Sequence, residues 1–125
     1  MDAIATARRA MDSVRTDLVG TTHGRVTVDS VLHYGAVDLD PDNLVVWVLL
    51  TGLDDEELPE WLTLTLDRWD VWQSAAVDRT WLAQVRDAVI TKFQALDWPN
   101  ACAMMINVDS ARRVEMNGGW NYFRG

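Results

Sequence analysis

A chain of 125 residues, 49% of them hydrophobic, is long enough to bury a core as one domain without staples, so residues 1–125 are read as a single domain. Its one cysteine, Cys102, excludes an internal disulfide. No apolar run approaches the ~18 residues of a transmembrane helix, and a net charge of -8 disfavours direct binding to a phosphate backbone.

The imbalance of charge is local. Residues 38–70 carry ten acids against Arg68 alone, whereas residues 1–37 are neutral and residues 71–125 carry a net +1. A surface built from that middle quarter would repel nucleic acid and attract a basic protein. The ten arginines and one lysine reflect a coding bias and carry no functional weight. The first 18 residues have charges throughout and no apolar core, unlike a signal peptide, so a reducing, cytoplasmic location is expected.

In chain order, Ile4, Ala7, Met11, Val14 and Leu18 recur at steps of three and four with charges between them, which predicts an amphipathic helix closed by Gly20. Residues 25–34 alternate. Val26, Val28, Ser30, Leu32 and Tyr34 are expected on one face of a strand, and Thr27, Asp29, Val31 and His33 on the other. Asp38, Asp40, Pro41 and Asp42 are turn residues, and they lead into seven consecutive apolar residues, 44–50, that end at Thr51-Gly52. That run is too short for a membrane and too uniformly apolar for a half-wet surface. It predicts a central strand covered on both faces.

Next come Asp54, Asp55, Glu56, Glu57, Leu58 and Pro59. Proline is tolerated in the first helical turn and acids suit the positive end of a helix, so a helix is expected to begin near Glu56. Residues 58–74 fit either a helical stripe or an alternating strand; the acid-proline start favours helix. Asp78 is a good N-cap for a helix carrying Trp81, Leu82, Val85, Val89 and Phe93, which Trp98-Pro99 stops. Residues 101–108 read as a second buried strand, Asp109-Ser110 as the cap of a short helical turn through Val114 and Met116, and residues 120–123 as a final strand. The elements run α-β-β-α-α-β-β, predicting an α+β fold with an antiparallel sheet of about four strands and helices packed on it.

Chemistry-bearing patterns are sparse. Asp38-x-Asp40-x-Asp42 resembles the start of a calcium loop, but Asn43 stands where that loop needs glycine and Leu49 where it needs a bidentate glutamate. His33 and Asp29 would lie ~13 Å apart along a strand, too far for a base and its orienting carboxylate. His23 sits in a turn among small residues, and two histidines with one cysteine do not compose an ordinary zinc site. Cys102, flanked by Ala101, Ala103, Met104 and Met105, reads as an inert residue of a buried strand. No serine-nucleophile elbow or phosphate-binding glycine loop occurs, and nothing selects a carboxylate-based hydrolase from the many acids. No cofactor or metal is expected.

Seven tryptophans stand out. Trp47 and Trp81 belong to apolar patterns and are expected in the core, while Trp61, Trp69 and Trp72 fall beside the acids. Aromatic rings next to charge suit an interface, although large rings that fill a small core and keep their N–H at the surface are the plainer account. The expected reading is a non-enzymatic module that binds a basic, nuclease-like toxin, as bacterial immunity proteins and antitoxins do. Its expected contact surface comprises Asp54, Asp55, Glu56, Glu57, Glu60, Trp61, Trp69 and Asp70. The acids before and after the central strand would be ~30 Å apart and could not share one compact patch. The alternatives are a small-molecule or sugar-binding domain or enzyme with a tryptophan-lined pocket, and a subunit of a phage or secretion assembly. The chain itself is expected to be a monomer or weak dimer.

Overall fold

A computed structural model describes residues 2–58, 62–64 and 78–124. Helix α1 spans Ala3–Leu18, capped by the Asp2 carboxylate, which accepts the Ala5 N–H at 3.1 Å. Its buried residues are Ala7, Ala10, Met11, Val14 and Leu18. Gly20, at φ +88°, then turns the chain, and its N–H donates to the Val28 carbonyl.

The strands are β1 (Thr22–His23), β2 (Val26–Tyr34), β3 (Val45–Thr51), β4 (Leu62–Thr63) and β5 (Met105–Ser110). In space they lie in the order β1-β2-β3-β5-β4. The β1–β2, β2–β3 and β4–β5 pairs are antiparallel, but β3 and β5 run parallel, from Val45 opposite Met105 to Leu50 opposite Ser110. The sheet is therefore mixed and five-stranded, correcting the expected four-stranded antiparallel one. An apolar run buried on both faces fits either strand direction, and only the long connection from β3 to β5 allows the parallel pairing.

A β-bulge between Val28 and Ser30 alters the alternation of β2. Strict period two would keep Val28 and Val31 on opposite faces; the extra residue, Asp29, brings both into the same core. After it, Leu32 and Tyr34 join the other face, against Trp47.

Helix α2 (Arg79–Gln94) is capped by Asp78, whose carboxylate accepts the Thr80 N–H at 2.7 Å. It packs with α1 over one sheet face, burying Val46, Val48, Leu50, Ile106 and Val108 together with Leu82, Val85, Val89 and Phe93. Full burial of such apolar side chains contributes about 1.5–3 kcal/mol each. The opposite face, centred on Trp47 and Leu49, is covered by α3 (Ala111–Met116) and a 3-10 turn, Gly119–Arg124. Three layers result, with β3 in the middle.

The aromatic run at residues 120–123, expected as a strand, belongs to that 3-10 turn. Gly119, at φ +60°, begins it, and Trp47 supplies the surface on which Phe123 settles. The strand expected over residues 101–108 begins later, because Ala101–Ala103 forms a 3-10 turn after Asn100, which sits in the left-handed region. The helix expected near Glu56 is a single 3-10 turn, Asp55–Glu57. Leu62–Thr63 is strand, against the expectation of helix, while residues 59–61 and 65–77, on which the rest of that expectation falls, lie outside the described residues. The turn capped at Ser110 is α3, as its sequence indicates.

Candidate functional site

The acids of the middle quarter lie at the two ends of β3, which are ~20 Å apart at strand rise. Asp38, Asp40 and Asp42 precede it, in the loop from Gly35 to Leu44; Asp54, Asp55, Glu56 and Glu57 follow it. The two groups do not merge.

The first loop is held by its own polar groups. The Asp40 carboxylate accepts the Asp42 N–H at 2.9 Å, Asn43 donates its side-chain amide to the Ala36 carbonyl, and Pro41 starts a 3-10 turn over Pro41–Asn43. Gly35 is required there, since at φ +123° a Cβ would lie 2.0 Å from the Asn43 carbonyl oxygen. The second group is partly committed to the fold. Glu57 accepts the Asp54 N–H at 2.9 Å and pairs with Arg25, whereas Asp54 and Glu56 stay exposed. Of the other expected contact residues, Asp55 lies in the 3-10 turn, and Glu60, Trp61, Trp69 and Asp70, like Trp72, lie outside the described residues.

Beside this second end sits the most buried ionic group. Asp109, 0% exposed, receives the Arg113 guanidinium and the Ser110 N–H, both at 2.7 Å, and the Tyr122 hydroxyl at 2.5 Å. Arg113 also donates to the Leu58 carbonyl at 2.8 Å. Three elements and the turn ending at Leu58 are thereby tied together, and with both partners buried the arrangement is a structural clamp. The sequence held one faint signal for it: an aspartate directly after an apolar run, four residues before an arginine.

The histidines are engaged separately. His23 contacts Asp78 at 3.3 Å and stacks on Trp81 with ring centroids 5.5 Å apart. Backbone N–H donation, from Thr80 above all, holds the Asp78 carboxyl below its ordinary value. His33 is half-buried beneath α1, and its Nδ1 has no hydrogen-bond partner among the described residues. Burial, then the positive charges of Arg15 and Arg8, push its pKa down, with Asp12 opposing. Asp29 is exposed at the bulge and plays no part in those shifts.

Cys102 departs from expectation, being exposed on the 3-10 turn after Asn100, with the Gln94 side-chain amide 3.1 Å from its sulfur. Small apolar neighbours suggested burial, but the strand begins only at Met105. Trp47 is fully buried and Trp81 nearly so; Trp98 is 5% exposed and Trp120 61%. No group of three or more His, Cys, Asp or Glu among the described residues is placed to hold a metal ion.

Two concavities among the described residues bear on the site. An open groove of about 380 Å³ runs along α2 past Arg86, Ile90 and Cys102. A more enclosed one, about 260 Å³, lies between the first acidic loop and the turn after α2, with Asp42 at one side and Asn100 at the other. Sequence reading passed over this cavity, taking Trp98-Pro99 only as a helix stop.

Comparison with known protein families, with curated proteins and with solved structures finds no match for this chain.

Proposed function

We propose that this chain is a non-enzymatic acidic module that covers a basic protein, in the manner of a bacterial immunity protein or antitoxin masking a nuclease-like toxin in the cytoplasm. One observation carries the reading. No lysine or arginine occurs from residue 26 to residue 67, and Asp38, Asp42, Asp54 and Glu56 are exposed with no ion pair to any described residue. Unpaired carboxylates at both ends of β3 steer a cationic partner and reject an anionic one. The contact surface proposed is the acidic turn, Asp54 to Glu57, with Glu60, Trp61, Trp69 and Asp70.

The test is kinetic. A partner co-purified with the tagged chain is identified, expressed and titrated against it. Asp54→Lys with Glu56→Lys is expected to slow association and flatten its dependence on salt, with the complex itself basic on the partner's side. A neutral or acidic partner, or rates unchanged by both substitutions, rejects the reading.

A further inference from the structure

The cavity beside Asp42 has the size, lining and charge of a receptor for one side chain. At about 260 Å³ it falls just below the ~300–1,000 Å³ of ordinary small-molecule sites. Its inner wall is apolar and closed: Leu44, Trp98 and Met104 are buried residues of the main core that also line the cavity. Its rim is polar, with the exposed Asp42 on one side and Asn100 on the other. The Asn100 side chain makes no capping bond to the turn it precedes, so its amide oxygen is available to a donor. No lysine or arginine is among the described residues lining it, and Asp42 has no ion pair to a described residue.

We propose that this cavity accepts an arginine side chain of the basic partner. The inference rests on the function proposed above and adds a second point of contact, at the opposite end of β3 from Asp54. A long cationic side chain lays an apolar stem along an apolar wall while its charged head stays at the wet rim. Arginine fits better than lysine: its guanidinium is the less strongly hydrated head, and its fork of donors can meet the Asp42 carboxylate and the Asn100 amide oxygen together. The site is also set in advance. Pro41 and Pro99 fix backbone dihedrals on its two sides, and the Asp40 and Asn43 hydrogen bonds hold the acidic loop, so little ordering accompanies binding.

The probe is the peptide acetyl-Arg-Arg-Arg-amide, titrated into the ¹⁵N-labelled chain, with the citrulline analogue as the uncharged isostere. Shifts are expected at Asp42, Asn100, Ala103 and the Trp98 indole N–H. Asp42→Asn should weaken binding about fivefold, the effect of one exposed charge pair. Ala103→Leu, which fills the rim and alters no charge, should weaken it comparably. An unchanged thermal midpoint in both variants confirms that they fold. Salt-sensitive binding that centres on Asp54 and Glu56, or that survives both substitutions, or that the citrulline peptide reproduces, overturns the pocket and leaves the general function standing. Absence of salt-sensitive binding anywhere on the protein overturns both.

Discussion

Asp109 and Arg113 meet at 2.7 Å across the junction where β5 becomes α3, and neither side chain is more than 8% exposed. The four-residue spacing that places charges together on a helix here begins in a strand, because Ser110 caps the helix between them. Removing one partner leaves the other charge buried. Arg113→Met is therefore expected to cost about 3–5 kcal/mol. Adding Asp109→Asn should recover part of that loss, since the amide oxygen can still accept from Tyr122 or Ser110. Urea unfolding of the two single variants and the double variant checks this; additive losses would show that the pair is not coupled.

Tyr34 and Trp47 join neighbouring strands through their side chains, the indole N–H donating to the hydroxyl oxygen at 3.0 Å. Tyr34→Phe keeps the ring contacts with Trp120 and Phe123 and removes only that acceptor. A loss of about 1 kcal/mol is expected, read as a shift in the denaturant midpoint at constant slope.

The acid sensitivity of the fold should carry a histidine component. His33 has a pKa below its ordinary value in the folded state, so between the two values the unfolded chain binds the extra proton. Stability is then full above about pH 6.5 and falls as pH is lowered through the folded value. Asp78 acts lower on the scale: its depressed carboxyl gives stability that is lost only on acidification below the ordinary carboxylate range. In His33→Gln the decline that begins below about pH 6.5 should flatten while the more acidic limb persists. Thermal midpoints across about pH 2–8 separate the two.

Gly52 ends the central strand at φ +88°, and a Cβ there would lie 2.0 Å from the Arg25 carbonyl oxygen, a backbone atom that cannot swing away. Gly24, at φ +61°, has nothing within 4 Å of the same position. Gly24→Ala is expected to cost only the left-handed backbone preference of ~1–2 kcal/mol, and Gly52→Ala clearly more, because the backbone clash adds to that same preference. Equal losses in chemical denaturation would refute the steric account.

Local signals in the sequence proved reliable where one element's own residues decide its form. The three-and-four spacing of Ala7, Met11, Val14 and Leu18 is α1, Asp78 caps α2, and residues 44–50 hold the central strand, buried on both faces. What depended on distant residues was not legible. Nothing local tells Ile106 and Val108 to pair parallel to Val46 and Val48, nor tells Phe123 to leave a strand-like pattern for the surface of Trp47. The bulge at Asp29 obeys no local signature, although it decides which side of β2 meets the core. For the candidate site, the sequence showed where negative charge accumulates. It could not show that Glu57 is drawn inward by Arg25, or that Asp42 comes to stand across a cavity from Asn100, 58 positions later.

The spatial order of the strands also constrains the sequence of assembly. β2 and β3 are joined by residues 35–44, the shorter of the two connections that reach β3's neighbours, and can pair early, but β4 pairs with neither of them; its sole neighbour among the described strands is β5. Until residues 105–110 slide in beside Trp47, β4 has no ladder to join and one long edge of β3 is unpaired. Closure of that gap spans more than 50 residues of intervening chain and carries the largest loop-entropy cost among the pairings of the described strands. Before it, the half-built sheet presents a bare apolar rim to other chains.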